Sequence, residues 1–182
     1  MENRKILNIK KLISPLLIIF FAVALRLLPH PANVAPIAAM ALFGGAYLNK
    51  KYALVVPLIA MILSDFFLGF HQSMPFVYVS FLLTGMIGLS LRNRKTATNI
   101  IAASITSSIL FFLITNFGFW LTHSLYPKTF SGQIEAYINA LPFFRNTVLG
   151  DLSYTALFFG SYELVRRLLF KVKAIDPEIN SG

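Results

Sequence analysis

The chain has 182 residues, of which 57% are apolar and only 13% are charged, and its mean hydropathy is +0.70. This composition excludes an ordinary soluble globular domain and predicts a polytopic membrane protein. Because the chain has no cysteine, it can form neither a disulfide framework nor a thiolate metal site.

Apolar segments follow one another along most of the chain. They lie at about 12–28, 33–48, 52–70, 76–91, 99–122 and 147–170. Crossing a hydrocarbon core of roughly 30 Å takes about 20 helical residues, so the second and fourth segments need flanking residues to complete a span. We therefore predict an all-α membrane protein, a bundle of six transmembrane helices that forms one domain over residues 1–182.

The net charge of +9 is distributed unevenly between the two sides of this bundle. Most cations lie before the first segment or directly after the second, fourth and sixth, which places them on one side. These are Arg4, Lys5, Lys10, Lys11, Lys50, Lys51, Arg92, Arg94, Lys95, Arg166, Arg167, Lys171 and Lys173. Only Arg26, Lys128 and Arg145 remain for the other side. Positive charge marks cytoplasmic loops, so we predict a protein of the cell membrane with both termini cytoplasmic. The basic balance indicates topology and possible contact with anionic lipid, and no nucleic-acid partner is expected.

The first apolar segment allows a second interpretation. The basic start, the first apolar run and the triplet Ala22-Val23-Ala24 also fit a cleaved signal peptide. We favour a membrane span, since the apolar run continues to Leu28.

In the loop at 123–146, Ile134, Tyr137, Ile138 and Leu141 recur at helical spacing. That spacing predicts a short amphipathic helix at the interface, which Pro142 ends.

Ionisable side chains collect in the outer third of the predicted bundle. Asp65 lies about 20 Å along the third span at 1.5 Å per residue, and Asp151 lies at a similar depth on the sixth. Arg26 comes at the outer end of the first span, and His30, His71 and His123 fall in outer loops or at helix ends. An ionised group near the centre of a span costs roughly 2.5–3.5 kcal/mol, so such groups usually face a partner or a cavity.

The last two spans each carry a polar and aromatic stripe. On the fifth it consists of Ser104, Ser108, Phe112, Thr115, Asn116, Phe119 and His123, and on the sixth of Thr147, Asp151, Tyr154, Thr155, Phe158 and Tyr162. A structural interpretation stays open, in which the hydroxyl groups join helices and the two aspartates form ion pairs with Arg26 or Arg145. The small residues of the second segment, Ala35, Ala39, Ala41 and Gly45, favour close contact with a helix of this chain or of another protein.

The sequence also resembles a known group of proteins. The stretches RLLPHPANVAPIAAMALFGGAYL, the SD of ILSDFFLG, LFFLITNFGFWL, YP at 126–127 and ALPFFRNTVLGDLSYTALFFGSYEL carry this likeness over residues 20–165. Together they resemble an uncharacterised group of bacterial membrane proteins classed among transport proteins.

The six spans with both ends inside are similar, more broadly, to the substrate-binding S component of energy-coupling factor importers. That resemblance implies a pocket near the outer face, a transmembrane coupling protein and two ATPase subunits. S components typically carry small residues for docking in the first span. Here that span has only Ala22 and Ala24, and the small residues lie in the second segment.

We therefore expect a small-molecule-binding subunit of an importer for a vitamin-like ligand, embedded in the lipid bilayer and without a cofactor or a bound metal of its own. The expected binding residues are Arg26, Asp65, Phe112, Asn116, Phe119, Trp120, His123, Asn146, Asp151 and Tyr154. One alternative is a divalent metal-ion permease that uses the outer histidines and aspartates, and another is a structural or assembly protein. An enzyme is not expected, since the sequence shows no nucleophile beside a base and no HExxH motif.

Overall fold

The computed structural model describes residues 16–28 and 34–175, with side chains up to residue 168, and all regular secondary structure in this part of the chain is helical. Six α-helices follow in order: α1 Leu16–Leu27, α2 Ile37–Tyr47, α3 Val55–Leu68, α4 Met74–Ser90, α5 Ala97–Thr122 and α6 Phe130–Ile175. A 3-10 turn, Leu91–Asn93, extends α4. The all-α prediction is therefore confirmed for the described residues.

Helix α2 lies at the centre of the bundle. Residues 38–46 are all buried, and the helix contacts α3, α4, α5 and α6. A helix that is apolar on every side must be enclosed by other helices, which the sequence IAAMALFGGAY satisfies. Near its end, the Phe43 ring meets Phe159 and Tyr162 of α6 edge to face, each with ring centroids 5.5 Å apart. This aromatic cluster anchors α6 to the central helix.

Glycine lets α2 and α4 pack backbone to backbone. A Cβ built on Gly45 would lie 2.8 Å from the Cα of Gly88 and against the carbonyl oxygen of Gly85. A Cβ on Gly88 would in turn lie 3.0 Å from the Cα of Leu42. Gly45, one of the small residues of the second segment, thus packs against a helix of the same chain.

Cationic side chains cap the C-terminal end of α2. The Nε of Arg92 donates to the Gly45 carbonyl at 2.9 Å, and its Nη2 donates to the carbonyl of Leu48. These carbonyls have no partner within the helix, and a cation there also offsets the negative end of the helix dipole. Lys95 donates to the Arg92 carbonyl at 2.6 Å and lies over the Tyr47 ring. We call this side of the bundle the Arg92 end and the opposite side, where α5 ends, the His123 end.

Helix α6 runs without interruption through Pro142. It has 46 residues, about 70 Å at 1.5 Å per residue. The predicted separate helix that ends at Pro142 is therefore wrong, because residues 130–146 form the first part of α6. Proline removes one backbone hydrogen bond, but α5 holds the helix on both sides of it. Tyr137 donates to the Leu113 carbonyl at 2.6 Å before the proline, and Asp151 contacts Ser108 after it.

Two of the described helices are long and apolar enough to cross a membrane. They are Met74–Asn93, which is α4 with its 3-10 turn, and Ala97–Thr122. The helices α1, α2 and α3 are apolar but shorter, since α2 has 11 residues and α3 has 14. The described part of the chain thus has six helices, of which two have both the length and the hydropathy of a membrane span.

Burial in α3 is the reverse of that in a soluble protein. Ser64 and Asp65 are buried, whereas Phe66 and Phe67 are 74% and 75% exposed. The same inversion recurs on α1 and α6, where Phe20 and Phe130 are exposed while Arg26 and Asp151 are buried. An exposed apolar surface of this extent marks contact with lipid or with another protein.

The contact between α2 and α4 predicts that Gly45→Val destabilises the protein. A side chain at this position has no room, and overpacking of a tight interior costs typically about 1–3 kcal/mol. The matched control is Gly160→Val on α6, where a Cβ would meet nothing within 4 Å. Thermal unfolding in detergent should show a lower melting temperature for Gly45→Val alone. Equal melting temperatures for both variants would contradict the close contact.

Candidate functional site

A buried ion pair joins the first and third helices. The Nη2 of Arg26 on α1 lies 2.5 Å from the Oδ1 of Asp65 on α3. Its Nη1 donates to the Met61 carbonyl at 3.2 Å and to the Ser64 hydroxyl. Arg26 and Asp65 are 8% and 2% exposed. Charges held this far from water need both a partner and further hydrogen bonds, and the pair has them.

The Asp65 carboxylate is shared by three helices. Its Oδ2 accepts a hydrogen bond of 2.8 Å from the Tyr78 hydroxyl on α4, while Oδ1 faces Arg26 on α1. Both oxygens are therefore occupied. The structural interpretation of the sequence, an ion pair with Arg26, describes Asp65 correctly.

A cavity of about 330 Å³ adjoins this ion pair at the His123 end. Five helices and the loop before α4 contribute to its wall. The wall consists of Arg26, Ile37, His71, Ser73, Val77, Phe111, Phe112, Thr115, Asn116, Phe119, Ala140, Phe143 and Thr147. Four phenylalanines and six polar residues make up most of this wall. Sites for small organic ligands likewise combine aromatic surface with placed polar groups.

Backbone carbonyls satisfy several of the polar groups in the wall. Thr115 donates to Phe111 and the Asn116 amide donates to Phe112, each at 2.7 Å. Thr147 donates to the Phe143 carbonyl at 3.2 Å. A hydroxyl or amide oxygen still accepts hydrogen bonds when the group donates elsewhere. The wall of α5 and α6 therefore offers acceptors to a ligand.

Arg26 supplies the complementary donors. A guanidinium has five N–H groups, and those of Arg26 reach three described partners, Met61, Ser64 and Asp65. The remaining N–H groups can bind a ligand, since Arg26 itself lines the cavity. The cavity thus has hydrogen-bond donors at Arg26, whose charge Asp65 neutralises, and hydrogen-bond acceptors on α5 and α6.

The structure brings four of the ten expected binding residues together. Arg26, Phe112, Asn116 and Phe119 line the cavity. Asp65 does not line the cavity itself, but it contacts Arg26, which does. His123 also lies behind the wall, with its ring stacked on Phe119 at a centroid distance of 4.2 Å. Its Nδ1 is 2.9 Å from the hydroxyl of Thr122.

The other four lie away from the cavity wall. Trp120 donates to the Pro127 carbonyl at 2.9 Å, and Asn146 is half-buried on α6. Tyr154 packs against Phe158 in the apolar core. Asp151 is buried between α5 and α6, where it contacts Ser108 at 2.6 Å. Among the described residues Asp151 has no ion pair, and Arg145 is exposed.

Several wall residues were not among the expected ones. Thr115 and Thr147 belong to the polar stripes of the fifth and sixth segments, and His71 is one of the outer histidines, so a signal for these three was present. Ile37, Val77 and Ala140 are ordinary apolar residues. Only the packing of the helices shows that they face a cavity.

Within residues 16–28 and 34–168, no three His, Asp or Glu side chains come close enough to hold one metal ion. The His71 ring contacts Ser73 at 3.0 Å. The remaining histidine of the predicted outer group, His30, lies outside the described residues.

Comparison with known families places the chain in one of them. Residues 7–174 match a family of unknown function, DUF6580. The chain belongs to this family. The match spans all six described helices and every residue of the cavity wall, so the site lies within the part of the chain that defines membership. No curated protein and no solved structure matches the sequence.

The ion pair predicts that Asp65→Asn is strongly destabilising. It leaves the Arg26 charge buried without its partner, which costs about 3–5 kcal/mol. The control is Glu163→Gln on α6, which removes an exposed pair with Arg166 and Arg167 that is worth at most about 1 kcal/mol. Thermal unfolding in detergent measures both. Equal effects of the two variants would show that the buried pair does not hold α1 to α3.

Proposed function

We propose that the protein is the membrane-embedded binding subunit of a small-molecule importer, similar to an energy-coupling factor S component. The observation that carries the proposal is the cavity of about 330 Å³ at the His123 end, whose wall combines four phenylalanines with six polar side chains. Its volume is within the range of about 300–1,000 Å³ found for small-molecule sites. The ligand is a vitamin-like organic molecule.

The inverted burial pattern supports a position within the bilayer. Large apolar side chains point outward on α1, α3, α5 and α6, while polar groups such as Asp65, Ser108 and Asp151 are buried. In water this arrangement would expose a large apolar surface, but in lipid it is the favourable one. In this proposal all six helices cross the membrane, with flanking residues completing the shorter ones.

In this proposal the end of the bundle at which the cations lie sets the orientation of the protein in the membrane. Burial lowers the pKa of the Lys95 ammonium, and the nearby charges of Arg92 and Arg166 lower it further. The loop after α4 and the last part of α6 thus bring positive charge to the same end. The Arg92 end then faces the cytoplasm, and the cavity at the His123 end opens towards the outside.

The absence of cysteine from the sequence allows a direct test of this topology. We expect Ser124→Cys, in the exposed loop after α5, to react with a membrane-impermeant maleimide in intact bacterial spheroplasts. The control is Asn93→Cys in the exposed turn after α4, which should react only after the membrane is permeabilised. The opposite pattern would reverse the orientation, and labelling of both sites in intact cells would argue against the alternating spans.

The cavity wall indicates the ligand chemistry. Phe111, Phe112 and Phe119 provide surfaces on which a flat ring can stack, with Arg26 beside them as a donor. A ring with a carbonyl or carboxylate group directed at Arg26 satisfies both features. Because Asp65 already neutralises Arg26, the ligand need not carry a full negative charge.

Energy for uptake comes from partner proteins in this proposal. The sequence has no Gly-Lys-Ser/Thr phosphate-binding loop, and the resemblance implies a transmembrane coupling protein with two ATPase subunits. Gly45 packs against α4, and Ala39 and Ala41 are buried within the bundle. They are therefore not free to dock a coupling protein, which must contact another helix.

A thermal-shift screen of the purified protein against vitamins, nucleobases and divalent metal ions tests the function. We expect one organic class to raise the melting temperature, and the increase to be lost in Asn116→Leu because the amide lines the cavity. The matched control is Asn139→Leu on α6, an exposed asparagine bonded to Tyr126, which should respond as wild type does. Stabilisation by metal ions alone favours a metal permease, and no response to any compound favours a structural role.

A further inference from the structure

Asp151 is the buried carboxyl group that the cavity does not use. It is 4% exposed and lies in the α5–α6 interface, one helical turn after Thr147, which lines the cavity. Its described partner is the hydroxyl of Ser108, at 2.6 Å from Oδ2. The hydrogen bonds that are possible at this contact indicate whether the carboxyl group is ionised or protonated.

Ser108 faces two acceptors with a single hydrogen. Its Oγ lies 3.0 Å from the Ser104 carbonyl as well as 2.6 Å from Asp151. A serine in a helix commonly donates to the carbonyl one turn earlier, and a hydroxyl has only one O–H to give. If Asp151 were ionised, Ser108 would donate to it, and the contact of 3.0 Å with the Ser104 carbonyl would carry no hydroxyl hydrogen, although that carbonyl keeps its backbone hydrogen bond within the helix. A hydrogen on Asp151 satisfies both contacts, because the acid then donates to Ser108 and Ser108 donates to Ser104.

Among the residues that the structure describes, no neighbouring charge would stabilise the ionised form. The helices α2, α4 and α5 contain no Asp, Glu, Lys, Arg or His. On α6 the nearest charged residue is Arg145, which is exposed, and the Arg26 charge on α1 is paired with Asp65 of α3. His71 faces the cavity but contacts Ser73. Burying an isolated carboxylate is far more costly than burying the neutral acid.

We infer that Asp151 is a proton-binding site, a neutral carboxylic acid held between α5 and α6 that donates its hydrogen to Ser108. The bound ligand is the proton itself. A sodium ion fits less well, because the direct contact of 2.6 Å leaves no room for a cation between the two oxygens. The polar contact continues through Ser104, whose hydroxyl lies 3.3 Å from Thr155 on α6.

Infrared difference spectroscopy of the ligand-free protein tests this inference independently of any transported compound. We expect the wild-type spectrum to contain the carbonyl stretch of a protonated carboxyl group, which shifts in D₂O and is missing from Asp151→Asn. Ser108→Ala should keep this band at a shifted frequency, since the acceptor of its hydrogen bond is lost. Loss of an ionised carboxylate band in Asp151→Asn, or a sodium-dependent band at this site, would overturn the inference.

Stability provides a second measurement should the spectrum be congested. An asparagine amide can replace the donor of a neutral acid, so Asp151→Asn should melt as the wild type does at neutral pH. The same substitution at the other buried carboxyl group, Asp65→Asn, removes a true negative charge and serves as the contrast. A loss of melting temperature in Asp151→Asn as large as that in Asp65→Asn would show that Asp151 is ionised.

Discussion

The buried contact between Arg26 and Asp65 holds together the half of the bundle that contains the cavity. Three helices meet at the Asp65 carboxylate, through Arg26 of α1 and Tyr78 of α4. In apolar surroundings neither charge can be released to solvent, so the pair fixes the relative position of these helices. Arg26 also lines the cavity, so the same side chain belongs both to the ion pair and to the cavity wall.

The two buried aspartates illustrate how position decides the chemistry of one residue type. Asp65 has a guanidinium and a phenol as partners, and both of its oxygens are occupied. The described hydrogen-bond partner of Asp151 is Ser108, which lies on a helix without charged side chains. The first is therefore a charged joint between helices, and the second is best explained as a neutral acid. From the sequence alone the two looked equivalent, since each is a lone carboxylate in an apolar segment.

Composition and periodicity predicted the all-α fold and the collection of polar groups near the His123 end. They also placed Phe112, Asn116 and Phe119 on one face of α5, and that face does line the cavity. On α6 they predicted a stripe of which Thr147 lines the cavity, but not how far along the helix the cavity extends, because Asp151 and Tyr154 pack between helices. The prediction that Pro142 ends a helix was wrong, since contacts with α5 on both sides outweigh the hydrogen bond that proline removes.

The glycine contact between α2 and α4 limits how these two helices can move relative to each other. Two helices whose backbones touch at Gly45 and Gly88 cannot slide past each other without a clash, and Arg92 fastens the end of α2 to the turn after α4. These two helices are therefore held in one relative position, and Tyr78 of α4 joins α1 and α3 to them through the Asp65 carboxylate.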